Sequence, residues 1–501
     1  MPPCPQTLPA PEAWDTTPPM STRAFIVAGT HSGCGKTLAA LGLMAAMVRR
    51  GFRVQAFKAG PDFIDPGHHE AVTGRPSHNL DGWMMGPDAV RGVFERHAAG
   101  ADVAIVEGVM GLFDGASGRD ESGSTAELAK WLGLPVVLVV DAKAMARSVA
   151  PLVQGFADFD PDLSLAGVLC NRVGSDRHQD LLFDALSGEP GREIARPLGF
   201  LRRDADLELP SRHLGLVTAG DLALDEAAPN KAAVDRLAKW MEQGCNVGRV
   251  LSLCPELTLA PRAWTDAAQT SPPETGDAGA RPSPVIAVAR DRAFCFAYHE
   301  NLRLLEAAGA RLEFFSPLAD QAPPKADAVY LPGGYPELHA AQLAANQGMI
   351  RGLRSFAASG GRVYAECGGF MVLMRSIADA QGMEHHLCGI FDMAAAMDDR
   401  FRALGYREVV TTGPSPFGPA WTMLRGHEFH YSHAVSRDSD AKAVYKVMDR
   451  KGWLPEAEGF MKGNVLGSYI HLHLGSNPEA ASAFVRWCAG VEPEQAADPE
   501  P

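Results

Sequence analysis

A glycine-rich segment near the start of the chain constrains its fold more than any other feature: Gly29-Thr30-His31-Ser32-Gly33-Cys34-Gly35-Lys36-Thr37. A strand-like apolar run, Ala24–Ala28, precedes it, and a helix-like run, Leu38–Val48, follows it. In such an arrangement, backbone N–H groups and the helix N-terminus bind phosphate oxygens, the lysine neutralises them, and the threonine hydroxyl can coordinate Mg²⁺. The segment therefore predicts a phosphate-binding loop, with ATP and Mg²⁺ as the expected cofactors.

Five residues of this loop are predicted to bind the nucleotide: Gly33, Cys34, Gly35, Lys36 and Thr37. Thr30 stands where the common form of the motif has its first glycine. Loops of the form G-T-x-x-G-x-G-K-T occur in dethiobiotin-synthetase-like enzymes, which this segment resembles. The alternative is a chance glycine-rich turn, and the flanking strand and helix weigh against it.

Length and composition bound the class of protein. A chain of 501 residues suggests two or three domains, and a net charge of -14 argues against nucleic acid or anionic membranes as partners. Nine cysteines without CxxC spacing are typical of reduced thiols, so we expect a cytoplasmic protein. We expect neither a membrane-spanning segment nor a signal peptide.

Apolar runs alternate with helical patterns in both halves of the chain, which predicts the α/β class with two doubly wound domains and mainly parallel sheets. The strand candidates are Ala24–Ala28, Val54–Phe57, Val103–Val106, Val136–Val140, Gly167–Leu169, Val285–Ala289, Leu312–Phe315, Ala328–Leu331, Arg362–Ala365 and Val465–Ile470. The predicted boundaries are a disordered tail at 1–22, an ATP-binding domain at 23–254, a proline-rich linker at 255–284, a second domain at 285–490 and a tail at 491–501.

Three acidic residues of the first half are candidates for catalysis. Glu107 ends the apolar run Ala104–Val106, where a buried carboxylate is costly unless it is paired or bound to metal. We therefore predict that Glu107 and Thr37 hold Mg²⁺. Asp65 lies in a charged loop after the second predicted strand, and Asp114 lies in a glycine-rich loop after Glu107. Loops at the carboxyl edge of a parallel sheet commonly bind ligands.

Other polar residues of the chain leave more than one interpretation open. Asp62 and Asp81 are either ligands or ordinary caps and surface charges. Asn171, after a predicted strand, is expected to contact the nucleotide base. The adjacent pairs His68-His69 and His385-His386 lack the i,i+4 spacing of a helical metal site, so we interpret them as solvated loop histidines.

The second informative segment is Ala365-Glu366-Cys367-Gly368-Gly369, between a predicted strand and a helical pattern. This order is typical of a nucleophile elbow, in which a sharp turn exposes the sulfur and the helix N-terminus is expected to lower the pKa of the thiol. Cys367 is therefore the predicted nucleophile, and we interpret the other eight cysteines as structural. His471 and His473 end the last predicted strand, and either can accept the thiol proton.

A glycine pair, Gly333-Gly334, follows another predicted strand of the second half. Its backbone N–H groups, together with the N–H of Gly368, are predicted to form the oxyanion hole and glutamine site.

A set of motifs makes the chain resemble one known family over about residues 23 to 490. The motifs are G-T-H-S-G-C-G-K-T, F-K-A-G-P-D-F-I-D-P with N-L-D, V-E-G-V-M-G-L-F-D-G, A-R-D-x-A-F-C-F, L-P-G-G-Y-P-E, A-E-C-G-G-F-M, R-G-H-E-F-H-Y-S and S-Y-I-H-L-H. The first half resembles a P-loop NTPase-like, dethiobiotin-synthetase-like domain, and the second resembles a class I glutamine amidotransferase. Fused in this order, the two halves resemble the cobyrinic acid a,c-diamide synthase family.

The resemblance implies a glutamine-dependent ligase that amidates the a and c acetates of a corrinoid through an acyl phosphate. It implies that Cys367 releases ammonia from glutamine with His471 as its base. Asp65, Glu107 and Asp114 are implied to orient Mg²⁺, the macrocycle or its acetates. His473 stands where class I enzymes have the glutamate of H-x-E, so the third member of the triad stays open.

Three alternatives remain at this stage. The same chemistry can act on sirohydrochlorin, its nickel form or sirohaem, whose acetates lie at matching positions. A regulatory P-loop ATPase with a vestigial amidotransferase domain is more distant, and a thiol protease leaves the ATP half unexplained. The expected partners are small molecules (a tetrapyrrole, glutamine and ATP), and a homodimer is also predicted.

Overall fold

The computed structural model describes residues 21–188, 195–204, 207, 231–259, 283–398, 402–436 and 438–493. Nearly all of the predicted tail at 1–22, most of the predicted linker and most of the predicted tail at 491–501 lie outside these residues. In the part that is described, no helix has both the length and the apolar character needed to cross a bilayer.

The first half forms a mainly parallel sheet with helices on its faces. Its strands are β1 Ser21–Gly29, β2 Val54–Ala59, β3 His78–Leu80, β4 Val103–Glu107, β5 Val136–Asp141, β6 Leu165–Val173, β7 Pro197–Arg202 and β8 Glu256–Thr258. Its helices are α1 Lys36–Arg49, α2 Ile64–Thr73, α3 Gly82–Met85, α4 Pro87–Ala98, α5 Thr125–Leu132, α6 Val149–Asp158, α7 Asp176–Ser187, α8 Lys231–Gly244 and α9 Val247–Ser252. The parallel strands follow the order β3-β2-β4-β1-β5-β6-β7. The central strands are buried on both faces, as their continuous apolar runs predict.

The second half contains a larger mixed sheet. Its strands are β9 Val285–Ala289, β10 Arg311–Phe315, β11 Ala328–Leu331, β12 Arg362–Glu366, β13 Met374–Ala378, β14 Glu384–His386, β15 Phe391–Met397, β16 Ala403–Thr411, β17 Met423–His430, β18 Ser432–Ala434, β19 Lys442–Asp449, β20 Gly452–Trp453, β21 Glu458–Lys462, β22 Val465–Ser468 and β23 His471–His473. Its helices are α10 His299–Ala307, α11 Ala340–Ala345, α12 Gln347–Ala358, α13 Gly368–Leu373 and α14 Ala480–Cys488, with 3₁₀ turns at Pro336–His339 and Leu474–Ser476.

In this second sheet the order is β10-β9-β11-β12-β22-β21-β19-β16-β17-β23. The strands from β10 to β22 pair in parallel, and the remaining strands extend the sheet with antiparallel pairs. A smaller sheet, β14-β13-β15-β18, lies beside it. The predicted α/β class is confirmed, with a mainly parallel sheet in the first half and a parallel part from β10 to β22 in the second.

Three details differ from the sequence predictions. The last predicted strand, Val465–Ile470, ends at Ser468, and the separate strand β23 pairs with β17. β8 lies within the predicted linker and pairs antiparallel with β1, whose Arg23 forms an ion pair with Glu256. β1 also begins inside the predicted tail, where the buried hydroxyl of Thr22 donates to the carbonyls of Ala98, the last residue of α4, and Ala101.

The two halves meet through aromatic contacts. The ring of Phe63, just before α2, lies 5.1 Å from that of Phe296 and 4.4 Å from that of Tyr298. The Tyr298 hydroxyl donates to the carbonyl of Pro61 over 3.3 Å. Since Pro61 and Phe63 follow the carboxyl end of β2, this contact places the nucleotide-side loop of one half against the other half.

Candidate active site

The phosphate-binding loop connects β1 to α1 and is held from the side by Asn171 at the end of β6. The Nδ2 of Asn171 donates to the carbonyl of Cys34 over 3.0 Å. Gly35 has φ +90°, and a Cβ there would lie 1.9 Å from Asn171 Nδ2, so only glycine fits. Asn171 thus fixes the shape of the loop, while its predicted contact with the nucleotide base stays a prediction.

Glu107 is the centre of the polar cluster below this loop and is fully buried at the end of β4. Its Oε1 accepts hydrogen bonds from Thr37 Oγ1 at 2.7 Å and Lys58 Nζ at 3.0 Å, and it lies 3.4 Å from Lys36 Nζ. Burial alone would raise the pKa of Glu107, but the charges of Lys58 and Lys36 hold it well below its usual range. Thr37 and Lys36, two of the predicted phosphate-loop residues, therefore both contact the Glu107 carboxylate.

Lys58 joins Glu107 to Asp65. Lys58 Nζ lies 2.5 Å from Asp65 Oδ2, and it also donates to the carbonyl of Gly108 at 3.1 Å. Lys58 is 2 % exposed, yet the two carboxylates raise the pKa of its ammonium against the effect of burial. For Asp65, burial and Glu107 act to raise the pKa, and the two lysines outweigh them and lower it. Sequence reasoning assigned no role to Lys58, although a lysine at the end of an apolar strand is a signal of a buried ion pair.

The interpretation of His68 and His69 as solvated loop histidines is wrong. Both lie on α2 and are buried, at 3 % and 0 % exposure. His69 Nε2 is 2.8 Å from Glu107 Oε2, and its Nδ1 is 3.0 Å from Ser77 Oγ. Asp65 and His69 are four residues apart, so they share the helix face that packs toward Glu107.

The second histidine pair lies on a strand, β14, and not in a loop. His386 is exposed, as expected of a solvated residue. His385 is half-buried, and its Nε2 lies 2.9 Å from Asp379 Oδ2.

The remaining candidate aspartates, Asp114, Asp62 and Asp81, have different surroundings. Asp114 is exposed, and its Oδ2 accepts a hydrogen bond from the N–H of Gly111, in a loop tied to the phosphate-binding loop by the bond from Leu112 N to Gly29 O. Asp62 is half-buried, and burial and the Asp65 charge raise its pKa.

Asp81 is an N-cap, the alternative that sequence analysis left open, and it also joins the two halves. It accepts hydrogen bonds from Met84 N at 2.8 Å and from the Tyr406 hydroxyl at 2.8 Å. Burial raises the pKa of Asp81 to about 6.

Cys367 lies in the turn between β12 and α13, with φ +45° and ψ −105°. A non-glycine residue in this region stores strain, which concentrates at functional sites. Its N–H donates to the carbonyl of Ser468 over 2.7 Å, which ties the turn to β22. The expected lowering of the thiol pKa is wrong: burial and the nearby Glu337 raise it, and the N–H of Gly368 opposes them only in part. A thiol with a raised pKa needs a base before it can act as a nucleophile.

The glycine pair contacts both the elbow and one of the two histidines. A Cβ on Gly333 would lie 2.2 Å from Cε1 of His471, and a Cβ on Gly368 would lie 3.0 Å from the nitrogen of Gly334. The absence of side chains lets this loop, the elbow turn and the imidazole approach each other.

His471 and His473 occupy different environments at the end of the sheet. The ring of His471 lies 4.8 Å from that of Phe63, beside the glycine pair. His473 is fully buried, and its Nδ1 accepts the N–H of Gly475 over 3.1 Å. Burial lowers the pKa of His473 to about 4. These contacts favour His471 as the base and give His473 a role in the following turn.

Comparison with known proteins identifies both halves. The model of the CobQ/CobB/MinD/ParA nucleotide binding domain matches residues 25–217, and that of the CobB/CobQ-like glutamine amidotransferase domain matches residues 285–479. The nucleotide-binding domain supports ATP as a ligand.

The relatives match over nearly their whole length. The cobyrinate a,c-diamide synthase of Syntrophotalea carbinolica is 46% identical over 94% of this chain and 100% of its own length. That of Salmonella typhimurium is 41% identical over 91% and 96%. The hydrogenobyrinate a,c-diamide synthase of Rhizobium meliloti is 43% identical over 89% and 98%. With its glutamine amidotransferase domain, the chain is a glutamine-dependent amidating ligase, and it belongs to the cobyrinate a,c-diamide synthase family.

Proposed function

We propose that this chain amidates the a and c acetate carboxylates of cobyrinic acid, with ATP to activate each carboxylate and glutamine as the nitrogen source. The observation that carries the proposal is the contact of Phe63, two residues before Asp65, with the ring of His471. A phosphate-binding site and a cysteine–histidine site joined in this way suit a reaction in which one site consumes the ammonia that the other releases. The relatives named cobyrinate a,c-diamide synthase support the substrate.

In the glutamine half, Cys367 Sγ attacks the side-chain amide carbon of glutamine. His471 takes the thiol proton, as the raised thiol pKa requires, and returns it to the leaving ammonia when the C–N bond breaks. Water then hydrolyses the thioester to glutamate. The N–H groups of the glycine pair and Gly368 are the proposed donors to the oxyanion.

In the ATP half, an acetate oxygen of the ring attacks the γ-phosphorus, and ADP leaves. Ammonia then attacks the acyl carbon of the acyl phosphate, and phosphate leaves, so that a carboxamide remains. ATP is required because a carboxylate is a poor electrophile with a poor leaving group. Lys36 and the loop amides are the proposed groups that stabilise the phosphoryl charge.

Oxygen donors near the phosphate-binding loop fit a magnesium ion. The Thr37 hydroxyl and the Glu107 carboxylate are 2.7 Å apart, and hydroxyl and carboxylate oxygens are ligands that Mg²⁺ prefers. Thr37 and Glu107 would hold the ion, which supplies charge neutralisation to the transferring phosphate when bound. Asp65 and Asp114 are proposed to orient the ion, the macrocycle or its acetates.

A water-poor interface is needed to keep ammonia from being lost between the sites. Phe63, Phe296 and Tyr298 supply apolar surface between the two halves. Their position supports transfer of ammonia within the protein.

A substrate panel tests the proposal. Purified protein with ATP, Mg²⁺ and glutamine is offered cobyrinic acid, hydrogenobyrinic acid, sirohydrochlorin, its nickel form and sirohaem in separate reactions. Release of ADP and glutamate is measured with the mass of the ring, and cobyrinic acid should give the diamide. Amidation of another ring only would reassign the substrate, and no nucleotide consumption with any ring would end the proposal.

A cysteine variant separates the two half-reactions. Cys367→Ser should abolish glutamate release while ammonium salts still support amidation. Cys254→Ser is the matched control, since its sulfur donates to the carbonyl of Val250 over 3.1 Å and a serine can replace that bond. Glutamate release by Cys367→Ser at the rate of the unmodified protein would refute the role of this thiol.

A further inference from the structure

The imidazole of His471 has one buried nitrogen to which none of the described residues forms a hydrogen bond. The Nδ1 is the buried atom, and the whole residue is 1 % exposed. The Glu366 Oε2 lies 3.8 Å from this nitrogen. A histidine that acts as a base must present one nitrogen to the nucleophile, and the group facing its other nitrogen decides which one carries the proton.

Glu366 is the last residue of β12, directly before Cys367, and is 2 % exposed. Its Oε1 accepts hydrogen bonds from the Tyr364 hydroxyl at 2.6 Å and the Leu472 N–H at 3.1 Å. Its Oε2 accepts from the Tyr330 hydroxyl at 2.8 Å. Three donors thus fix the carboxylate, and one of them belongs to the residue next to His471.

The charge of this carboxylate is not cancelled by its hydrogen-bond donors. Burial and the Glu366 charge raise the pKa of Tyr330 and of Tyr364 well above the ordinary range, so both hydroxyls remain neutral donors. Among the described residues, the His471 ring is a basic group that lies against Glu366. His427 is paired with His471 in the sheet and is also neutral, since burial lowers its pKa to about 3.

We propose that Glu366 is the positioning residue of the cysteine–histidine pair and takes the place of the missing H-x-E glutamate. Closing the 3.8 Å gap between Oε2 and Nδ1 lets its carboxylate accept the Nδ1–H of His471, so that Nε2 is the nitrogen that takes the thiol proton of Cys367. It stabilises the imidazolium until the proton passes to the leaving ammonia. The inference rests on the proposed glutamine hydrolysis at Cys367.

The geometry explains why the third member of the catalytic triad lies on β12 and not two residues after His471. His473 occupies the H-x-E position but is bonded to the N–H of Gly475 in the following turn. Glu366 reaches the same imidazole from β12, and its bond to the N–H of Leu472 holds the two segments together. The carboxylate therefore comes from the residue before the nucleophile.

Glu366→Gln tests the proposal, because glutamine removes the charge, keeps one oxygen to accept from Tyr364 and Leu472, and places an amide NH₂ that can donate to the Tyr330 hydroxyl. We expect glutamate release to fall by at least about 10-fold, mainly in kcat, as when the orienting partner of a histidine is removed. Alkylation of Cys367 by iodoacetamide at pH 7 should slow in parallel, because the thiol proton has a weaker acceptor. Amidation with ammonium salts should keep its rate, which a general loss of structure would not allow.

Three further variants complete the test. Glu366→Asp keeps the charge and should recover part of the rate. Glu306→Gln, at an exposed position of α10, is the matched control and should have no effect. Combining Glu366→Gln with His471→Ala should lower the rate no further than His471→Ala alone, since Glu366 acts through His471.

An unchanged rate of glutamate release and of alkylation in Glu366→Gln would overturn the proposal. Additive losses in the double variant would overturn it also. If Glu366→Gln does not fold, Glu366→Asp decides: full activity or a total loss of ammonia-dependent amidation would then contradict a positioning role. A different result would refute the proposed function instead: glutamine hydrolysis lost in Glu366→Gln but retained at the normal rate in Cys367→Ser.

Discussion

Replacing Gly333 by alanine places a methyl group against the imidazole of His471. The new Cβ would lie 2.2 Å from Cε1 of His471, whereas ordinary van der Waals contact begins at 3.4 Å. The ring or the loop must therefore move by about 1.2 Å. A misplacement of ~1 Å in an active site can cost on the order of 100-fold in rate, which corresponds to about 2.7 kcal/mol of barrier.

The assay compares two activities of the same Gly333→Ala protein. Glutamate release should fall about 100-fold, while ammonia-dependent amidation with ATP should stay near that of the unmodified enzyme, because the nucleotide site is untouched. Gly413→Ala is the matched control, since nothing lies within 4 Å of a Cβ built there. Glutamine hydrolysis within about twofold of normal in Gly333→Ala would refute the assignment of His471 as the base, by the displacement argument above.

Two further predictions concern buried charges. Lys58→Met leaves Glu107 and Asp65 without their shared cation, so chemical denaturation should show a loss of about 3–5 kcal/mol, with ammonia-dependent amidation lost as well; a change below about 1 kcal/mol would contradict the pairing. Burial would raise the pKa of Glu300, but hydrogen bonds from His97 and Arg303 lower it to about 2 from 4.5. The ionised carboxylate therefore contributes about 3 kcal/mol at neutral pH that is lost as the pH falls from 4.5 toward 2. The difference in unfolding free energy between the unmodified protein and Glu300→Gln should accordingly shrink between pH 6 and pH 3, and a constant difference would contradict it.

The parallel parts of both sheets could be predicted from the sequence because their strands are buried on two faces. Val136–Val140, for example, is a continuous apolar run and lies within β5. The antiparallel strands of the second half were not predicted. In β16 and β19 buried positions are interspersed with half-buried and exposed ones, which leaves only a weak apolar signal.

Local motifs located the phosphate-binding loop and the cysteine turn, since each depends on residues close together in the chain. Contacts between distant segments could not be read in the same way. Lys58 and Glu107 form a hydrogen bond although they are 49 positions apart in the sequence, and Glu366 and the N–H of Leu472 do so across 106 positions. The burial of His69 could have been anticipated from its four-residue spacing from Asp65 once a helix was assumed.

The packing of Phe63 on His471 has a consequence for dissecting this protein. A fragment containing only the second half would present the rings of Phe296, Tyr298 and His471 to water on the side that Phe63 covers in the intact chain. Such a fragment would carry an exposed aromatic face prone to self-association, and the His471 imidazole would be more exposed to water. Glutaminase rates measured on the isolated second half would therefore report on a His471 whose surroundings differ from those in the whole chain.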